Sequence, residues 1–233
     1  MPSDPRESPI NQSPVNPLPP VVVALFLMIA GIEALFQLGT RGLMGGPQAV
    51  GWRLGAMQDY AVSGRLLHWM VETGQYPAEQ LVRFVAYAFV HANFTHAMFA
   101  CVMLLALGKM VGEVMGNLAT LVLFLGSAIG GALIYGWFTS SGVPLIGALP
   151  AVYGLIGGFT YLLWVQLGRM GAQQIRAFSL IGILLGLQLI FGLLFGGGQD
   201  WIADIGGFVV GFGLSILLVP GGWTRLRAYL RRD

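Results

Sequence analysis

The sequence predicts an all-α membrane protein, a six-helix bundle with a long first loop, and three observations carry that reading. Of the 233 residues, 56% are hydrophobic and only 9% charged, with a mean hydropathy of +0.75. A soluble domain carries roughly a quarter charged residues to keep its surface hydrated, so this chain has too little charge for a water-facing surface. Thirty-five glycines stand against a single lysine, a usage that suits membrane helices packed through small residues. Six apolar runs also approach the roughly 20 residues needed to cross a hydrocarbon core about 30 Å thick. The formal charge of +2, with no basic stripe interleaved with aromatics, excludes a nucleic-acid partner. With Cys101 the only cysteine, disulfide frameworks and thiolate metal sites are excluded, and no cofactor or metal is expected.

Taken in chain order, residues 1–20 hold Pro2, Pro5, Pro9, Pro14, Pro17, Pro19 and Pro20 between Ser and Asn, the composition of a disordered tail. The tail lacks a basic start, a short apolar core and a small-residue cleavage site, so the first apolar run, 21–38, is expected to be a retained anchor. The segment 39–93 is too long for a simple connector. It carries Trp52, Tyr60, Trp69 and Tyr76 and an amphipathic stretch at 64–73, which suits a structure lying in the membrane interface. The remaining spans are expected at 94–114, 118–138, 149–167, 178–195 and 202–219. The membrane domain is thus 21–219, followed by a basic tail at 220–233.

Six spans put both termini on one side, with Arg6, Lys109, Arg169, Arg176, Arg225, Arg227, Arg231 and Arg232. The opposite side has Arg41, Arg53, Arg65 and Arg83. That asymmetry places the termini in the cytoplasm and turns the long loop outward. No internal repeat of the kind that builds many transporters is evident.

Polar residues within apolar spans are costly and so are the first candidates for function. They are Glu33 in the first run, His91 and His96 at the start of the second, Glu113 near its end, and Asp204 in the last. Glu33 reads either as a relay carboxylate or, preferably, as an interior hydrogen-bonding group, whereas His68 reads as a solvated loop residue. Gly154 and Gly158 are four apart, as are Gly207 and Gly211. Each pair gives its helix a flat face on which another helix can pack closely. If the two faces meet, the start of the fourth span comes near residue 204.

The run His91-Ala-Asn-Phe-Thr-His96, followed by Gly108, Glu113 and Gly116, resembles the second helix of the rhomboid family of intramembrane serine proteases. The stretch from Gly147 to Gly157, reading GALPAVYGLIG, is similar to the family's GxSG segment opening the fourth helix, and Ala203-Asp204-Ile205-Gly206-Gly207 with Gly211 is similar to its AHxGG segment in the sixth. The resemblance covers about residues 80–220. It implies the family's six-helix fold, a bacterial inner-membrane location and lipid as the surrounding partner.

The resemblance also locates the family's catalytic groups: a serine nucleophile, a histidine base, and a His and an Asn that hold the oxyanion. The matching positions here are Leu149, Asp204, His96 and Ala100. Leucine has no nucleophilic atom. Asp204 would be a poor base because its reference pKa is near 4, unless burial raises it. Loss of one oxyanion donor typically costs about 10²–10³ in rate, and Pro150 removes a further backbone N–H from the same place. Much of the scaffold matches: Arg83 corresponds to a first-loop arginine, although Val82 stands where a tryptophan usually precedes it. Glu113 corresponds to an internal hydrogen-bond anchor, and Tyr153 to the aromatic that packs on the catalytic histidine.

No other nucleophile stands out, since none of Ser127, Ser140, Ser141, Ser179 and Ser215 has a histidine at a spacing that predicts contact. A metal site from His91, His96 and Asp204 has suitable ligand types, but a spacing of five turns the two histidines to different helix faces. An unpaired intramembrane carboxylate is costly, so Asp204 is expected to pair with His96. The expected function is that of an inactive rhomboid relative that binds transmembrane segments of other proteins. A rhomboid-type endopeptidase with a divergent site and a small transporter or channel remain as alternatives.

Overall fold

A computed structural model describes residues 17–140, 142–195 and 198–220. Most of the Pro-rich tail, nearly all of the basic tail and Ser141 lie outside the described residues. Helix α1 spans Pro20–Thr40, with proline in the first turn, where its missing N–H costs nothing. It buries Val22, Leu25, Ile29, Glu33 and Phe36, one face at the spacing of an α-helix. The long loop that follows is itself helical: a 3₁₀ turn at Pro47–Gly51 precedes α2 (Trp52–Tyr60), α3 (Gly64–Thr73) and α4 (Ala78–Ala86). The amphipathic stretch expected at 64–73 is α3. It is started by the Ser63 hydroxyl, which accepts from the Leu66 N–H, and is stopped by Gly74 in the left-handed region. Trp52, Tyr60, Trp69 and Tyr76 are exposed, as interfacial aromatics would be. The loop is pinned to the chain entering α7 by an isolated antiparallel bridge, Val62 to Leu145, with N–H···O distances of 3.2 and 2.7 Å.

Five more helices complete the bundle: α5 (Phe94–Met115), α6 (Asn117–Phe138), α7 (Leu149–Arg169), α8 (Ser179–Phe195) and α9 (Trp201–Leu218). The Asn93 side chain caps α5 by accepting from the His96 N–H at 2.9 Å. A single residue, Gly116 at φ 84°, turns the chain from α5 into α6. Among the described residues α1, α5, α6, α7 and α9 are long and apolar enough to cross a membrane. The fifth expected run, 178–195, is helix α8 over its described residues.

Helix α7 is the centre. Its first half, Pro150 to Gly158, is buried on every side among α5, α6 and α9. The glycine faces expected to meet do meet, with a shift in register. A Cβ on Gly207 would fall on the Pro150 carbonyl, one on Gly211 on the Gly154 carbonyl, and one on Gly157 on the Phe208 carbonyl. Gly158 meets α9 one turn further on, at Ser215, as well as Leu123 of α6. On the other side of the bundle Gly108 and Gly112 of α5 accommodate Val22 and Pro19, which seats α1.

These contacts predict that Gly207→Ala and Gly211→Ala each lower the thermal unfolding midpoint in detergent, by about 1–3 kcal/mol of overpacking. Gly213→Ala, where a Cβ meets nothing within 4 Å, is expected to leave the midpoint unchanged or slightly raised.

Candidate functional site

The starts of α5 and α9 each pack against the start of α7, where the sequence motifs fall, and Gly147 is the turning point of the arrangement. Its φ of 95° lies in the left-handed region, and its N–H donates to the Tyr87 carbonyl at 2.9 Å. A Cβ there would stand 2.6 Å from the His96 ring and 3.5 Å from the His91 ring. The two imidazoles therefore cover Gly147. They pack edge to face, with centroids 5.0 Å apart and planes at 75°.

His91 does more than pack. Its Nε2 accepts from the Ala148 N–H at 3.2 Å, so a side chain takes up one of the unpaired N–H groups at the beginning of α7. An accepting Nε2 requires the proton on Nδ1 and a neutral ring. Among the described residues that buried Nδ1 makes no complete hydrogen bond. Burial, with the neighbouring His96 as the next contribution, pushes the His91 pKa down to about 4.

The backbone of His91 is held in turn. Arg53, at the start of α2, donates to the His91 carbonyl at 2.7 Å and grips Glu33 of α1 with two bonds, at 2.8 and 2.7 Å. Gln37 adds a bond of 2.9 Å to Glu33, and the guanidinium lies 5.1 Å from the centre of the Phe36 ring. The favoured interior role for Glu33 is thus filled by an ion pair. Arg53, which the sequence offered only as a loop charge, is the residue that joins α1 to the site. Arg83 acts nearby on the same loop, donating to the carbonyls of Gln58 (2.9 Å) and Ala61 (3.1 Å).

Asp204 sits in the first turn of α9 and is 1% exposed. Its partner is not His96. The carboxylate accepts from the Gln188 amide of α8 at 2.6 Å, and the Gln188 carbonyl oxygen accepts from the Tyr153 hydroxyl at 3.2 Å. Three helices are tied by this row, Tyr153 to Gln188 to Asp204. Among the described residues Gln188 of α8 is the side-chain donor to Asp204, whereas the His96 ring is engaged against His91 and Gly147. Gln188 was missed from sequence. Its signal was a lone amide within the apolar run at 178–195.

The other sequence candidates separate into those near this cluster and those away from it. Leu149, half-buried, and Pro150 open α7, and Ala100 is buried one turn beyond His96. Glu113 is exposed, 4.0 Å from Lys109, so it is not the internal anchor expected. Ser127 is buried with an unpartnered hydroxyl pressed on Gly154, and Ser215 bonds the Gly211 carbonyl at 2.7 Å. Ser140 and Ser179 are exposed. Among the described residues no serine hydroxyl reaches a histidine, and no group of three or more metal-ligating side chains forms. At the start of α7 a carbonyl group would find no side-chain nucleophile in Leu149. It would also find no N–H at Pro150 and an Ala148 N–H already engaged by His91.

The family model described as "Rhomboid domain" matches residues 78–221. Among curated proteins, the chain is 28% identical over 151 residues to "RHOMBOID-like protein 4" of Arabidopsis thaliana, covering 62% of this chain and 36% of that protein. It is likewise 28% identical over 138 residues to "Rhomboid-like protease 1" of Toxoplasma gondii, covering 59% of this chain and 47% of that protein. The chain therefore spans between about a third and a half of the length of these relatives.

Two outcomes are expected from this geometry. Removing one partner of the Arg53–Glu33 pair, as in Arg53→Ala, strands a buried charge and should cost about 3–5 kcal/mol of stability, read as a lowered unfolding midpoint. Because the folded-state pKa of His91 lies below its unfolded value near 6.5, the unfolded chain takes up the proton first. The stabilisation is complete above about pH 6.5 and is lost as the pH falls toward 4, by about 2 kcal/mol at pH 5. Unfolding midpoints measured from pH 7 to 5 should fall less steeply for His91→Gln than for the unaltered chain.

Proposed function

Because the chain belongs to the rhomboid family, we propose that it is a proteolytically inactive member that binds transmembrane segments of other membrane proteins without cutting them. The single observation that carries the reading is the content of the converged site. Leu149 opens α7 where the family resemblance expects the nucleophile, and Asp204, in place of the base, is tied to Gln188. A carboxylate so engaged is poorly placed to take a proton from a hydroxyl, and no hydroxyl is present at position 149 to give one.

The electrostatic side of the chemistry is depleted as well. Ala100 has no donor, Pro150 has no N–H, and the Ala148 N–H is committed to His91. An acyl-transfer transition state needs donors aimed at the oxyanion. The protease named among the relatives is a different case, since its name describes that protein and three of the family's four groups are replaced here, at Leu149, Asp204 and Ala100, with His96 kept. What supports binding is the retained packing of α5, α6, α7 and α9. A fold that admits a helix from the side keeps that surface when its nucleophile is replaced.

The protein is an integral multi-pass membrane protein in contact with lipid. We further assign it to the bacterial inner membrane, with a membrane domain at 21–219, cytoplasmic tails at 1–20 and 220–233, and the loop at 39–93 outward. The excess of Arg and Lys on the side of the termini supports the orientation, and the bacterial location rests on the family resemblance alone.

The test is cleavage of a model single-span substrate by the purified protein in liposomes, with a fluorophosphonate probe for an activated serine and an active rhomboid alongside. No cleavage and no labelling is expected, and cleavage with labelling would overturn the reading. Installing the missing pair through Leu149→Ser with Asp204→His is expected to leave the rate at least about 10²-fold below the active control. Ala100 and Pro150 would still withhold oxyanion donors.

A further inference from the structure

The two helices that cross at the centre of the bundle separate toward the end where α7 stops. They touch at Gly157 and the Phe208 carbonyl. One and two turns further along, Tyr161 and Trp164 of α7 face Phe212 of α9, with ring centroids 5.5 and 6.4 Å apart. Phe178, from the turn before α8, closes the group at 5.7 Å from Phe212 and 6.4 Å from Phe208. Aromatic rings thus fill a wedge that glycines no longer keep shut, and Trp164 stays 37% exposed at its outer edge.

The turn joining α7 to α8 lies across the open end of this wedge. Gln174 packs on Gly168 and donates to the Trp164 carbonyl at 3.1 Å, while Phe178 packs on Phe212. Arg176 falls between those two contacts, and Arg169 ends α7 beside them. Both arginines are exposed, as are Met170 and Ile175 next to them. Among the described residues neither arginine has an acidic partner: Glu113 is the only carboxylate at this end of the bundle, and it lies 4.0 Å from Lys109. Two uncompensated cations therefore stand at the rim of an aromatic surface. At 1.5 Å per residue Trp164 is about 7.5 Å deeper than Arg169, comparable to the thickness of one headgroup layer.

We propose that this corner binds one anionic phospholipid, its phosphodiester held between Arg169 and Arg176 and an acyl chain laid along Trp164. Charge complementarity selects the headgroup. Guanidinium groups make paired bonds to phosphate oxygens, and basic sites beside membrane helices take anionic headgroups. A zwitterionic phospholipid carries the same phosphate, but its own ammonium offsets the attraction. Trp164 presents a flat apolar face to the chain and an indole N–H that suits the interface. The site stands at the opposite end of α7 from Leu149 and does not depend on client binding.

The experiment uses the full chain in phosphatidylcholine vesicles containing a minor share of a lipid brominated on the upper acyl chain, which quenches tryptophan on contact. The brominated lipid is phosphatidylglycerol in one series and phosphatidylcholine in the other. The emission of Trp164 is the part lost in Trp164→Phe. Its quenching is expected to show phosphatidylglycerol preferred by about tenfold or more, since each arginine near an anionic headgroup contributes about fivefold. Arg169→Gln with Arg176→Gln should make the two lipids quench equally, whereas Arg225→Gln with Arg227→Gln, in the basic tail, should leave the preference unchanged. An excess of free glycerol phosphate should not relieve the quenching. If Trp164→Phe does not fold, the change in total quenching between the unaltered chain and the Arg169/Arg176 variant gives the same reading. Equal quenching of the unaltered chain by both lipids overturns the proposal, as does no quenching of Trp164 by either. A preference that survives the Arg169/Arg176 variant, or is lost in the tail variant, also overturns it, and relief by glycerol phosphate would replace the lipid with a soluble phosphate.

Discussion

The contact on which the rest of the molecule depends is the near approach of the α7 and α9 backbones. Gly207 lies on the carbonyl of Pro150 and Gly211 on that of Gly154, with Gly157 against the Phe208 carbonyl. At such a crossing no side chain intervenes, and attraction comes from backbone packing and Cα–H···O contacts rather than from a hydrophobic driving force, which lipid does not supply. Because the helices meet within their N-terminal halves, the crossing sets Pro150 of the first turn of α7 against Gly207 of α9. It also turns Asp204 toward α8 rather than toward α5. Helix α6 fits the same junction through Gly131, which lies against the Ala203 carbonyl.

Around that junction the polar groups are arranged as structural ties. The Glu33–Arg53 pair fastens the helical loop to α1, Arg53 carries the tie to the His91 carbonyl, and the His91 ring passes it to the Ala148 N–H. One connected path therefore runs from α1 through the loop to the beginning of α7. A buried ion pair is weak evidence of net stabilisation, since its desolvation offsets much of its attraction. Its role here is to specify where the loop sits. The second set, Tyr153 with Gln188 and Asp204, does the same for α8.

The loop, α1 and α5 are joined by apolar packing and an ion pair, and α8 by the packing of Leu180, Ile181, Leu184 and Leu185 together with one amide. In this rhomboid-family scaffold the polar atoms near the start of α7 serve as fasteners, with Leu149 a hydrocarbon and Asp204 held by Gln188.

The sequence by itself determined the properties that depend on neighbours along the chain. Length of apolar runs set the helices at α1, α5, α6, α7 and α9 to within a few residues. Ser63 and the amphipathic spacing set α3, and glycines four apart marked the α7 and α9 faces that pack together. The tertiary structure alone decided which groups meet. It paired Asp204 with Gln188 instead of His96, brought Arg53 to Glu33 across twenty residues, set Gly157 rather than Gly158 against the Phe208 carbonyl and left Glu113 exposed. The physical reason is that hydropathy and helical periodicity are local quantities, whereas the partner of a buried polar group is set by the relative rotation of packed helices. A shift of one residue in that rotation, as between Gly157 and Gly158, turns a side chain by about 100° and gives it a different neighbour.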